Sequence, residues 1–294
     1  MENFLTELKL AFTKSGNGLM KLILINIIVF VAANLVYVPS KIFNFPEGII
    51  FIQNLLYLPP TYIGFITHPW TLITTFFTHM DPFHILFNML FLYYFGSLIS
   101  EYLGSKRLIS LYIYGGITGA ILYLVCYNHI PYFAEMSPHI IGLIGASGCV
   151  YAIVTAAATL LPDYTFFLLF FGPVKIKWIA LFYIFLSFIN TAGSNAGGNL
   201  AHLGGALLGF VFIRALKNGN DLGKPVYAIT EWLENLTKPN KLKVTYTSKN
   251  KSRHSEVVPN EREIDDILDK ISKSGYDSLT KEEKNKLFRA SQKS

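Results

Sequence analysis

Residues 140–161 read IIGLIGASGCVYAIVTAAATLL, a run without a single charge. At 1.5 Å per residue a helix of this length crosses a hydrocarbon core of about 30 Å, which makes the chain a membrane protein. Inside the run lies Gly145-Ala146-Ser147-Gly148. Small residues let membrane helices approach closely, and alone the tetrapeptide reads more readily as packing than as chemistry. A hydroxyl about seven residues into a membrane span is the other reading: a nucleophile.

Composition supports the membrane assignment. Charged residues are 15% of the chain and apolar ones 52%, against about a quarter charged in soluble domains. Charges are sparse between Lys21 and Lys217 and dense from Arg214 onward. The basic balance lies largely in short loops and the tail, where Lys and Arg set orientation, so no nucleic-acid partner is expected. Cys126 and Cys149 sit in apolar runs and read as small buried hydrophobes.

Five further runs accompany the first. Taken in order, the spans are Leu19 to Val38, ended by Pro39; Pro82 to Leu98; Leu108 to Tyr127; Ile140 to Leu161; Ile176 to Ile189; and Leu200 to Leu216. Lys9, Lys14 and Lys21 precede the first, Lys106 and Arg107 follow the second, Lys175 and Lys177 precede the fifth, and Arg214 and Lys217 end the sixth. The positive-inside rule then places both termini in the cytoplasm. Residues 39–81 are too rich in proline to span and too apolar to be a solvated loop. Short interfacial helices are expected near Ile49 to Leu58 and Trp70 to Phe77. The fold class is an all-α integral membrane protein, six spans with a small cytoplasmic helical tail. Residues 1–17 form an N-terminal amphipathic segment with no cleavable signal, 18–217 the membrane domain, 218–259 a linker and 260–294 the tail. Asn260 and the pair Thr280/Glu283 are expected to cap the two tail helices.

Topology narrows the chemistry. The fourth and sixth spans both begin on the external side, so Ser147 and His202 share a depth, roughly 5 to 10 Å below the surface. A serine hydroxyl needs an adjacent base, and neutral imidazole can take its proton and return it to a leaving amine. No carboxylate lies nearby, so catalysis would use a dyad. Tyr151, one turn after Ser147, offers a surface for the His202 ring. His84 and Asn88 are spaced i, i+4 on one helical face and can donate to a developing oxyanion with the Ser147 N–H; interhelical polar packing is the plainer alternative. His79 reads as a structural loop histidine, and no metal pattern emerges. Gly205 and Gly209 form a G-x-x-x-G face on the sixth span, expected against the fourth.

His-Ile-Leu-Phe-Asn at 84–88, Gly-Ala-Ser-Gly with Tyr151, and Ala-His-Leu-Gly-Gly at 201–205, in this order and on these spans, resemble the rhomboid family of intramembrane serine proteases across roughly residues 18–217. The resemblance implies a six-helix core with Ser147 as nucleophile and His202 as general base. It implies His84 and Asn88 as oxyanion donors, with Gly145 and Tyr151 as supports. Trp70 matches a tryptophan of the family's first loop. Thr71 stands where an arginine often follows it, and Glu101 only approximates the family's acidic position near the end of the second span. The implied reaction is cleavage of single-pass transmembrane proteins near the external end of their helix, in a bacterial inner membrane. No cofactor is involved, and the fifth span with the 190–199 loop would act as a gate. Oligomeric state and substrate are not legible.

Two other classes share part of the pattern. An inactive scaffold or chaperone on the same fold would bind transmembrane clients with an unreactive Ser147. A small-solute transporter would need similar interrupted helices from internal repeats and polar groups at the midplane, and neither is present in the sequence.

Overall fold

The computed structural model describes residues 17–168, 172–237 and 261–291, in two compact units, Met1–Lys238 and Pro239–Ser294. In the first unit α1 (Gly18–Ile42) is followed by three short helices, α2 (Pro46–Leu56), α3 (Tyr62–Thr67) and α4 (Thr71–Thr74). Next come α5 (Pro82–Leu103), α6 (Ser105–His129), the short α7 (Pro131–Met136) and α8 (Ser147–Leu160). A hairpin of β1 (Thr165–Leu168) and β2 (Gly172–Lys175) leads to α9 (Ile176–Ile189), α10 (Ala196–Lys217) and α11 (Lys224–Thr237). Among the described residues, α1, α5, α6 and α10 are long and apolar enough to cross a membrane, and α8 and α9 are shorter apolar helices.

Glycine decides how the central helices meet. α10 packs most closely on α8 and α6. A Cβ at Gly205 would collide with the Gly148 carbonyl oxygen, and one at Gly209 with that of Ala152. On the α6 side, a Cβ at Gly119 would stand 2.6 Å from the Ala201 carbonyl oxygen. The G-x-x-x-G face therefore lies against α8, backbone on backbone. Around this contact Ile153, Phe212 and Ile213 are fully buried. α9 leaves Trp178, Phe182, Phe185 and Phe188 exposed.

The fourth run departs from the expected continuous helix. Residues 140–146 are not helical, and α8 begins at Ser147 itself. The cause is local. Leu143 pairs with Leu58 in an isolated antiparallel bridge, N–H to carbonyl oxygen at 2.8 and 3.0 Å. The Thr75 hydroxyl donates to the Leu143 carbonyl, and the Gly145 N–H donates to the Thr75 carbonyl at 3.0 Å. Gly142 and Gly145 take φ of 153° and 121°, values that disfavour a side chain. These bonds satisfy in extended form a backbone that would otherwise have to coil.

Other boundaries moved for similarly local reasons. α1 runs through Pro39 to Ile42, and the Ser40 hydroxyl donates to the Val36 carbonyl at 2.7 Å in that last stretch. α5 continues to Leu103, where Gly104 at φ 84° stops it. The hairpin was unforeseen. Its strands pair in the register Thr165↔Lys175, and Asp163 beside it is clamped by Lys177 and Lys175 at 2.9 and 3.0 Å. The Lys177 and Lys175 ammoniums hold that carboxyl down at about 2.

The stretch 218–259, expected as a linker, contains α11. Asp221 fastens it to the start of α6. The carboxylate takes an ion pair from Arg107 at 2.8 Å, the Gly223 N–H at 2.9 Å and the Tyr227 hydroxyl at 3.1 Å. Residues 238–259 of that stretch, the N-terminal segment 1–16 and the expected cap Asn260 lie outside the described residues.

In the second unit α12 (Glu261–Ser274) and α13 (Lys281–Ser291) form a helical hairpin turned at Gly275, φ 78°. Ile267 and Leu279 are buried in it. Thr280 and Glu283 make the expected reciprocal cap. The Thr280 N–H donates to Glu283 Oε2 at 2.7 Å and the Glu283 N–H to Thr280 Oγ1 at 3.3 Å.

Candidate active site

A cavity of about 350 Å³ opens between α5, α8, α9 and α10. Ser147, Tyr151, His84, Asn88 and His202 all line it, so five of the six residues singled out in the sequence meet at one place. Gly145 stands at its edge. A Cβ there would lie 2.8 Å from His84 Cε1, 3.0 Å from His84 Nε2 and 3.7 Å from Ser147 Oγ. Trp70 is not part of the cavity wall; it is half exposed, edge-on to His68 at 5.2 Å.

Because α8 starts at Ser147, the serine occupies a helix N-terminus. The first-turn N–H groups of Ser147, Gly148 and Cys149 have no intrahelical acceptor, and the helix dipole places partial positive charge there. Such an end favours an anion. The His202 ring lies flat on Tyr151, centroids 4.2 Å apart and planes within 7°. The Ser147 hydroxyl makes no hydrogen bond among the described residues.

Asp81 starts α5 by accepting the His84 N–H at 2.8 Å, with Pro82 at the first helical position, a strong N-terminal signature. The helix that starts at this cap carries His84 and Asn88, one turn apart, to the cavity. His79, read from sequence as a loop residue, does more. Its Nε2 accepts from Asn88 Nδ2 at 3.1 Å and from the Ala146 N–H at 3.3 Å, and its ring meets His84 edge-on at 4.9 Å. It thereby joins the loop, α5 and the residue before Ser147.

Ser187 on α9 escaped the sequence reading. It is buried. Its hydroxyl lies 2.9 Å from the Tyr151 hydroxyl and 3.1 Å from His202 Nδ1. It is a lone serine in the apolar run 178–189 and lies fifteen positions before His202; the isolated hydroxyl was the available signal. Tyr183, one turn earlier, meets Phe91 of α5 edge-to-face at 5.0 Å and closes the cavity between α5 and α9. A second, more polar cavity of about 330 Å³ lies behind Ser147 and His84, walled by Tyr123, Tyr127 and the Asn195–Gly198 segment.

A family model described as the Rhomboid domain matches residues 67–218; a family of unknown function (DUF6576) matches residues 250–293. The chain is 36% identical over 161 residues to RHOMBOID-like protein 12, mitochondrial, of Arabidopsis thaliana, covering 51% of this chain and 47% of that protein. Rhomboid protein 1, mitochondrial, of Saccharomyces cerevisiae is 27% identical over 171 residues, 55% of this chain and 45% of that one. Rhomboid protease GlpG of Haemophilus influenzae is 28% identical over 179 residues, 60% of this chain and 83% of that one. The chain thus spans about half the length of the two mitochondrial relatives. The Rhomboid match alone covers more than half of this sequence, and the chain belongs to the rhomboid family of integral membrane proteins.

Proposed function

We propose that this protein is an intramembrane serine endopeptidase that cleaves single-pass transmembrane proteins near the external end of their membrane helix. One observation carries the reading: a serine at the positive end of α8 and a histidine stacked on the next turn of the same helix line one cavity. Ser147 Oγ attacks the scissile carbonyl carbon while His202 Nε2 takes the hydroxyl proton. The resulting oxyanion is met by the Ser147 N–H, with His84 and Asn88 as further donors. Collapse breaks the C–N bond, and the imidazolium gives its proton to the leaving amine. Water, deprotonated by His202, then attacks the acyl-enzyme, and Ser147 recovers its proton. The cavity's apolar flank, Phe83, Phe87, Phe91 and Val154, suits an unwound apolar segment.

In the proposed protease six helices cross a bacterial inner membrane, α8 and α9 as the fourth and fifth, and both termini are cytoplasmic, as the lysines and arginines of the loops favour. α9 is the element that admits substrate, since its contact with α5 beside the cavity includes the edge-on ring pair of Phe91 and Tyr183.

The test is labelling of detergent-solubilised protein with a fluorescent fluorophosphonate, beside Ser147→Ala and His202→Ala. Wild-type labelling that vanishes in both variants is expected. A folded wild type that neither labels nor cleaves model transmembrane substrates in liposomes would leave the inactive scaffold that binds transmembrane clients.

A further inference from the structure

We infer that Ser187 is a positioning residue that fixes the tautomer of His202 through a one-way chain of hydrogen bonds ending on the Tyr183 carbonyl; the inference rests on the protease reading. The direction of the chain follows from counting protons. A backbone carbonyl can only accept. The Tyr151 hydroxyl lies 3.4 Å from the Tyr183 carbonyl oxygen, and its single proton goes there. Tyr151 is then left to accept, and the Ser187 hydroxyl at 2.9 Å donates to it. Having spent its one proton, Ser187 can meet His202 Nδ1, 3.1 Å away, only as an acceptor. The ring proton therefore sits on Nδ1, and the lone pair is on Nε2, the nitrogen a general base for Ser147 must offer.

Burial gives the chain its force. Ser187 is 2% exposed, so water does not compete for its hydroxyl, and reversing one link would strand a donor against a donor, an arrangement costly in an apolar interior. The same links hold the ring in place: Tyr151 lies against its face, and Ser187 fixes its rotation within that plane. The role that a carboxylate fills in a triad, choice of tautomer and orientation, falls here to a neutral hydroxyl.

The full chain in detergent tests this with two readouts. The first is kcat and KM on a model transmembrane substrate, with the rate of fluorophosphonate labelling. Ser187→Ala is expected to lower kcat roughly 10- to 100-fold with KM little changed, and Ser187→Thr, which keeps the hydroxyl, to restore most of it. The second is the tautomer itself, read from long-range ¹⁵N–¹H correlations of ¹⁵N-histidine protein, with His202 assigned by its disappearance in His202→Ala. The wild-type signal is expected to be the Nδ1–H form, and Ser187→Ala should gain Nε2–H. Tyr151→Phe keeps the stacked ring but removes the acceptor that directs Ser187, and should gain Nε2–H as well. It serves as the second variant if Ser187→Ala does not fold. An Nε2–H ring in the wild type, or a tautomer unmoved by Ser187→Ala and Tyr151→Phe, overturns the inference whatever happens to activity. If the wild type proves inactive, the protease reading fails on the first readout and the hydrogen-bond chain is still judged on the second.

Discussion

At residue scale the site depends on positions that have no chemistry of their own. Gly145 combines φ 121° with a Cβ position only 2.8 Å from the His84 ring. Gly145→Ala meets both a backbone cost of about 1–2 kcal/mol and a displaced His84. The expected outcome is a modestly lower melting temperature with a fluorophosphonate labelling rate down roughly 100-fold, since an error of about 1 Å in a site costs about that much. Unchanged labelling in a folded variant would separate His84 from the oxyanion role. Ser147, His202, His84, Asn88 and Tyr151 were legible in sequence because polar groups are rare in apolar spans, and helical spacing put them on defined faces. His79 and Ser187 were harder to assign. Their roles depend on which nitrogen or hydroxyl they meet across a helix interface, and sequence distance carries no trace of that.

At the scale of elements, the contact between α8 and α10 is the critical one. Gly209→Leu would drive a side chain into the Ala152 carbonyl, and overpacking of this sort costs about 1–3 kcal/mol or more. Thermal unfolding in detergent should show a clear loss, together with loss of labelling as Ser147 and His202 separate. Leu207→Ala on the outer face of the same helix, 61% exposed, should stay within about 0.5 kcal/mol of the wild type. Equal effects of the two would mean that α10 is not held by its glycines. The glycine face could be read beforehand, since G-x-x-x-G has one dominant use in membranes. The N-terminal half of the fourth run could not. Ile140 to Ala146 is apolar enough for helix, and the distant partners Leu58, Thr75 and His79 hold it in its non-helical path. The hairpin at 165–175 failed for a related reason, being too short for its alternation to stand out from an apolar background.

For the whole molecule, the segment that follows α10 is tied to the start of α6 by a polar latch, Asp221 between Arg107 and Tyr227. Burial raises the Asp221 carboxyl, but the Gly223 N–H, the Arg107 guanidinium and the Tyr227 hydroxyl outweigh it and hold it below the usual carboxylate range; burial first, and then the Asp221 carboxylate, pushes Tyr227 up to about 12. A carboxyl lowered by folding stabilises the protein above its unfolded pKa, near 3.9, and that stability fades as pH falls through the lower folded value. Asp221→Asn should therefore lose about 2 kcal/mol at neutral pH, with the gap to the wild type starting to close below about pH 4 and vanishing only below the lowered folded value. A gap that persisted at acid pH would mean that packing, rather than charge, makes the latch. The truncated α8 carries a last consequence. Fourteen residues at 1.5 Å give a rod of about 21 Å, roughly 9 Å short of a 30 Å hydrocarbon layer, and Ser147 is its upper tip. On the proposed reading that shortfall is a ruler: a helical client standing full height beside it would present to the serine a bond about six residues, nearly two turns, below its own outer end.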